Sequence, residues 1–181
     1  QAQHEPGTTS IALGDLDNDG DLDIVIGNCY EPNLVYYNNG AAGFPPPEVI
    51  PPAEPVNGPD ETAAIALGDL DGDGYLDLVV GNYNSNDNNV IHFNRNGHFS
   101  DTVLLGPGSD ETFALALGDV DGDGDLDIVV GNSIVSNEDK KANIIYLNDD
   151  KGGFYNTANQ DIDCAAPPQN ARCISFAKEN T

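Results

Sequence analysis

Positive charge is what this sequence most lacks: six Lys and Arg stand against 31 Asp and Glu in 181 residues, for a net charge of −25. Without a basic stripe to neutralise phosphates, nucleic acid is excluded as a partner. No apolar run approaches the roughly 18 residues that a spanning helix needs, so membrane insertion is not expected. Cysteine is sparse. Cys29, Cys164 and Cys173 permit one disulfide with one thiol left over. Cys164 and Cys173 lie nearest in sequence and would close a small loop around Pro167-Pro168, with Cys29 buried or pairing elsewhere. No Asn-x-Ser/Thr sequon occurs despite the abundance of Asn. The histidines are only three, His4, His92 and His98. No Ser/His/Asp or Cys/His set has a context suited to nucleophilic catalysis. The Gly-rich segments lead into no helix, which leaves a phosphate cradle unsupported. An enzyme is therefore not expected.

What the chain has in plenty is aspartate, in three copies of one stretch. These are Asp15-Leu-Asp17-Asn-Asp19-Gly20-Asp21-Leu-Asp23, Asp69-Leu-Asp71-Gly-Asp73-Gly74-Tyr75-Leu-Asp77 and Asp119-Val-Asp121-Gly-Asp123-Gly124-Asp125-Leu-Asp127. Carboxylates so dense repel one another unless a cation sits among them, and hard oxygen ligands suit Ca²⁺, which takes six to eight of them. The shared glycine allows a sharp turn that brings the carbonyl of Asp21, Tyr75 or Asp125 toward the same ion. Three Ca²⁺ sites are expected, with the ligands drawn from these fifteen residues. The loops hold 14 of the 31 acids, so ion binding explains much of the charge; adaptation to high salt is a second reading of the surplus. A structural ion is favoured over a catalytic one, because catalysis would need an open coordination position with acids or bases beside it.

Flanking residues decide the architecture. Ile11-Ala-Leu13, Ile65-Ala-Leu67 and Leu115-Ala-Leu117 precede the loops; Ile24-Val-Ile26, Leu78-Val-Val80 and Ile128-Val-Val130, each followed by Gly-Asn, come after them. Short runs rich in Val and Ile read as strands. An EF-hand would need flanking helices and a Glu at position 12, where Ile26, Val80 and Val130 stand. A third apolar run follows (Leu34–Tyr37, Val90–Phe93, Ile144–Leu147), then an Asn- and Gly-containing turn and Phe44, Phe99 or Phe154. A weaker fourth strand fits Glu48–Ile50 and Thr102–Leu105. Ala12, Ala66 and Ala116 in the first strand would let a neighbouring sheet approach closely. Loops begin at Asp15, Asp69 and Asp119, periods of 54 and 50 residues that suit propeller blades.

The segments Ala-x-Gly-Asp-x-Asp-x-Asp-Gly-x-x-Asp-(apolar)₃-Gly resemble FG-GAP/VCBS-type repeats, the blades of integrin-α-like β-propellers, over residues 8 to 155. Gly-Asn stands where the integrin type has Gly-Ala-Pro, as in the VCBS-like subtype. The resemblance implies an all-β fold of calcium-binding β-propeller-type blades: three four-stranded antiparallel blades plus an orphan C-terminal strand. Blade 1 is expected at 8–50, a Pro-rich connection at 51–60, blade 2 at 61–106 and blade 3 at 107–160. A tail at 161–181 would carry the disulfide and the extra strand, since Cys173-Ile-Ser-Phe-Ala177 aligns with Ser10-Ile-Ala-Leu-Gly14. The expected function is a secreted or cell-surface binding or adhesion module. Its protein or carbohydrate ligand would sit at the Asn-rich loop end, at 28–33, 82–89 and 132–143, the last carrying Lys140-Lys141. The alternative is a structural subunit whose three-blade units assemble with copies of themselves.

Overall fold

A computed structural model describes residues 7–41, 43–52, 61–84, 88–106, 111–132, 143–148 and 153–156. The tail with Cys164, Cys173 and strand 173–177, the Lys140-Lys141 pair and His4 lie outside the described residues, as does most of the Pro-rich connection. The described residues are all-β. Strands run β1 (Gly7–Gly14), β2 (Asp23–Cys29), β3 (Leu34–Tyr36), β4 (Glu48–Val49), β5 (Thr62–Gly68), β6 (Asp77–Asn82), β7 (Asn89–Asn94), β8 (Phe99–Leu105), β9 (Thr112–Gly118), β10 (Asp127–Asn132), β11 (Ile144–Asn148) and β12 (Phe154–Asn156). They form three four-stranded antiparallel meanders, β1-β2-β3-β4, β5-β6-β7-β8 and β9-β10-β11-β12. No ring is closed among the described residues.

Register repeats from sheet to sheet. Ala12 pairs with Val25 and Val25 with Val35; Ala66, Val79 and Ile91 match them, as do Ala116, Val129 and Ile145. Even the irregularity recurs, since each first strand slips by one residue near its start, between Thr8 and Ser10, between Thr62 and Ala64, and opposite Gly131 and Asn132. A bulge placed identically in three copies is a feature of the repeat rather than a local defect. The fourth strands differ from the expectation in their starts. Phe99 and Phe154 are themselves the first residues of β8 and β12, whereas Phe44 stands outside β4 and is 45 % exposed. The prolines of Phe44-Pro-Pro-Pro47 cannot donate to a ladder, so pairing in the first sheet begins only at Glu48.

Because side chains alternate along a strand, each sheet offers two faces. Val25, Val35, Leu16 and Ile50 of the first sheet pack against Leu78, Val80 and Val90 of the second. On the second sheet's other face, Val79, Ile91, Phe93, Leu70 and Leu105 pack against Ile128, Val130, Ile144 and Tyr146 of the third. The middle sheet is thus covered on both sides, and every residue of β6 and β7 is buried. That is why β6 reads as an unbroken apolar run instead of an alternating one.

Glycines also mark places where neighbouring sheets come close. A Cβ on Gly27 would lie 2.9 Å from Thr62 Cγ2, and one on Gly81 would lie 2.6 Å from Thr112 Cγ2. Gly14 and Gly68 receive the next sheet's leucines likewise, at 2.6 Å from Leu76 Cδ1 and 2.8 Å from Leu126 Cδ1. The glycines that bracket the first two loops are therefore docking points. Polar contacts fix the same spacing. Asn33 Nδ2 donates to Thr62 Oγ1 (3.0 Å) and Asn89 Nδ2 to Thr112 Oγ1 (2.8 Å). Both asparagines also accept from the backbone of the Gly-Asn dipeptide in their own sheet, Asn28 N at 2.8 Å and Asn82 N at 2.9 Å.

Candidate metal centre

Each aspartate loop connects the first two strands of a sheet, and each is wound around its first carboxylate. Asp15 accepts from Asp19 N and Gly20 N at 3.1 and 3.0 Å. Asp69 accepts from Gly72 N, Asp73 N and Gly74 N at 2.8, 3.1 and 2.9 Å. Asp119 does the same with Gly122 N, Asp123 N and Gly124 N. Such a wrap needs two left-handed residues. One is the glycine shared by the three stretches, Gly20, Gly74 or Gly124, with φ of 95°, 90° and 107°. The other is two residues earlier: Asn18, Gly72 or Gly122, at 60°, 73° and 81°. Only Gly and Asn tolerate that region readily, and the restriction of this place to those two types was a legible signal.

The last aspartate of each loop has a task of its own in holding the backbone. Asp23, Asp77 and Asp127 are fully buried. Asp77 Oδ2 accepts from Leu70 N at 2.8 Å, and its Oδ1 accepts from Asn94 N at 2.8 Å. Asp23 holds Leu16 N and Asn38 N, both at 2.8 Å, and Asp127 holds Val120 N and Asn148 N at 2.8 and 2.9 Å. One carboxylate thus ties the aspartate loop to the end of the third strand. The asparagine there in turn reaches the preceding sheet: Asn94 Nδ2 donates to Leu16 O and Asn148 Nδ2 to Leu70 O, each at 2.7 Å. The invariant place of Asn38, Asn94 and Asn148 thereby gains a physical reason beyond turn formation.

Carboxylate oxygens converge within 4.8 Å of one another in all three loops, from Asp15, Asp17 and Asp19, from Asp69, Asp71 and Asp77, and from Asp119, Asp121 and Asp127. Asp21, Asp23, Asp73, Tyr75, Asp123 and Asp125 stand outside these triads. Asp21 turns its carboxylate toward the hairpin, where a Cβ on Gly40 would meet Asp21 Oδ2 at 2.6 Å. Asp73 Oδ1 accepts from Tyr75 N at 3.0 Å and its Oδ2 meets Arg95.

The donor sets fit a hard divalent cation. Asp71 Oδ1 is buried with no hydrogen-bond partner, a costly state for a carboxylate oxygen and the natural place for a metal bond. The electrostatics agree. Burial, joined by the charges of Asp71 and Asp73 and opposed by the Asn94 and Leu70 amides, pushes the Asp77 carboxyl up to about 6. Asp17 is raised by burial and then by Asp19, and Asp121 by burial and then by Asp123 and Asp127. A cation among these groups would reverse the sign of each repulsion.

Neither of the remaining candidates joins these clusters. His92 is packed inside the second sheet, 3 % exposed, at the place held by Tyr36 and Tyr146. Cys29 is a buried free thiol at the end of the inner strand β2, its pKa raised by burial and by Glu61.

Three stacked antiparallel meanders, each with an aspartate loop between its first two strands, define a repeat protein of the propeller-blade kind. The FG-GAP-like repeat family matches residues 15–80 and 69–130, more than half of the chain, and the protein belongs to that family. Among curated proteins none matches it.

Proposed function

We propose that this chain is a calcium-stabilised, extracellular β-propeller-type binding module without catalytic activity. The reading is carried by one observation, the convergence of aspartate oxygens at the same place in three repeats, with Asp71 Oδ1 buried and unpartnered at the centre of one. When bound, Ca²⁺ supplies the positive charge that these carboxylates lack. The residues that would hold it are Asp15, Asp17 and Asp19, then Asp69, Asp71 and Asp77, then Asp119, Asp121 and Asp127. The nearly identical loops are suited to fixing hairpins, and extracellular calcium concentrations match sites of modest affinity. No helix among the described residues is long and apolar enough to cross a membrane. A protein or carbohydrate ligand is assigned to the end opposite the metal loops, where the connections after β2, β6 and β10 vary in length.

Calcium removal tests the reading. Sites with Kd of about 10⁻⁴ to 10⁻³ M contribute roughly 0.5–1.6 kcal/mol each at about 1.5 mM Ca²⁺. Three would sum to roughly 1.5–5 kcal/mol, so EDTA should lower the Tm by about 3–20 °C for a chain of this length. The loss should be larger at low salt, where the bared carboxylates repel more strongly. A melting curve that EDTA leaves unchanged would refute the calcium assignment.

A second reading, self-assembly, is favoured by the outer faces of the stack. Ile11, Leu13 and Leu22 are 61, 61 and 57 % exposed, whereas Ile65, Leu67 and Leu76 at the same places are packed against the first sheet. At the far end Gly118 has no described atom within 4 Å of a built Cβ, although Gly14 and Gly68 each receive a leucine. The first sheet offers the leucines and the third offers the landing, so copies could dock head to tail. Concentration-dependent light scattering by the purified chain, abolished by Leu13→Asp, is the expected result under this reading. A monomer at every concentration would exclude it.

A further inference from the structure

Among the described residues, the second loop differs from the others in carrying its own cation. Arg95 lies in the hairpin between β7 and β8, where its backbone is closed by Arg95 N to His98 O at 2.8 Å. Its Nη1 lies 2.7 Å from Asp71 Oδ2 and 2.8 Å from Asp73 Oδ2, and its Nε lies 3.5 Å from Asp101 Oδ2. The guanidinium also rests on the Phe93 ring, 5.3 Å from the centroid. A hydrogen bond from the Tyr75 hydroxyl to Asn96 Oδ1, at 2.9 Å, ties the same loop to the same hairpin. In the first sheet the place of Arg95 is taken by Asn39, whose Oδ1 only accepts from Ala41 N. In the third the place is Asp149, outside the described residues.

We propose that Arg95 is the built-in counter-cation of the second loop: it holds Asp71 and Asp73 in place without an ion and makes this loop the weakest of the three calcium sites. The inference rests on the calcium reading above. Charge count sets affinity in oxygen-ligand sites. The first and third loops present five carboxylates each, Asp15 to Asp23 and Asp119 to Asp127, whereas the second presents four beside one guanidinium. Arg95 engages the outer oxygens, Asp71 Oδ2 and Asp73 Oδ2, and leaves Asp71 Oδ1 for the metal. The loop can therefore still bind an ion, but against a positive charge. A unit charge about 6 Å from a divalent ion, at water-like screening, changes affinity by about a factor of ten. The absent carboxylate at Tyr75 weakens the site further, and a variant at Arg95 separates the two effects.

The experiment is a Ca²⁺ titration followed residue by residue with amide NMR, using Gly20, Gly74 and Gly124 as reporters of the three loops. In the wild-type chain Gly74 should reach its midpoint at a Ca²⁺ concentration about tenfold or more above that of Gly20. Arg95→Asn, which installs the residue of the first sheet, should lower the Gly74 midpoint about tenfold and leave Gly20 and Gly124 where they were. A second measurement needs no variant. In EDTA, amide exchange at Asp73, Gly74 and Tyr75 should be slower than at Asp19, Gly20 and Asp21, because Arg95 replaces the missing ion in one loop only. Gly74 titrating together with Gly20, or a Gly74 midpoint that Arg95→Asn leaves unchanged or raises, overturns the inference while the calcium reading stands. No response at any of the three glycines overturns both.

Discussion

His92 should make this protein sensitive to mild acid. The ring sits in the middle of β7, 3 % exposed, with Leu78 opposite it on β6 and Thr102 opposite it on β8. Its Nδ1 lies 3.4 Å from Thr102 Oγ1, and the Phe99 ring stands edge-on at 6.4 Å. Burial disfavours the imidazolium and lowers its pKa from 6.5 to about 4. The sign follows from proton counting. Below pH 6.5 the unfolded chain takes up a proton that the folded chain refuses until about pH 4, so stability is fully present above 6.5 and is lost as pH falls toward 4. A difference of about 2.5 units corresponds to roughly 3 kcal/mol at full effect, and about 2 kcal/mol at pH 5. For this chain length that is a Tm loss of about 4–8 °C between pH 7 and pH 5. Acid also protonates loop carboxylates, so the informative quantity is a comparison. His92→Tyr installs the residue that Tyr36 and Tyr146 supply at this place, and it should remove the His92 share of the loss. Thermal melts of both proteins at saturating Ca²⁺, pH 7 and pH 5, provide the assay. Equal losses in the two proteins would refute the argument, whatever their absolute Tm values.

Two further outcomes follow from the division of labour within a loop and from the packing of the sheets. Asp71→Ala should abolish one ion and cost little in EDTA, whereas Asp77→Ala should destabilise in EDTA as well. It leaves Leu70 N and Asn94 N without their acceptor, at roughly 1–3 kcal/mol each, partly offset by removal of a buried charge; equal behaviour of the two variants in chelator would contradict the assigned roles. Gly81→Ala should cost about 1–3 kcal/mol, since its Cβ meets Thr112 Cγ2 at 2.6 Å, while Gly131→Ala, whose nearest contact is Ala114 Cβ at 3.4 Å, should be close to neutral. Denaturant melts that rank the two glycines alike would show that the sheets do not stack in this manner.

The strands and their order were legible because both signals they depend on are local. Short apolar runs of three or four residues, bounded by Gly, Asn and Asp, specify strands and turns without reference to anything distant. The aspartates were legible for the same reason, since one nine-residue stretch repeated three times leaves few alternatives. What escaped was whatever depends on a neighbouring repeat. Gly27 and Gly81 read as family markers, and only the stacked sheets show that Thr62 and Thr112 need their space. Asn33 and Asn89 read as the ends of Asn-rich connections suited to a ligand, yet each bonds its own sheet and the next one. Arg95 was invisible as a partner of Asp71 because 24 residues separate them and a single basic residue in a hairpin carries no pattern. Spacing placed Asp23, Asp77 and Asp127 among the loop carboxylates, but not their burial or their bonds to the end of the third strand, which spacing does not encode.

The polar contacts between sheets have a consequence for how such a chain can change length. From Leu16 O the path runs to Asn94, through Asp77 to Leu70, from Leu70 O to Asn148 and through Asp127 to Val120. Each period contributes one asparagine donor that reaches back and one carbonyl that waits for the next. Duplicating an internal repeat would therefore place a matching donor beside every new acceptor, and a leucine beside every new glycine. Growth by unequal recombination in whole steps of about 50 residues needs no compensating substitutions, whereas a step of any other size would strand buried polar groups.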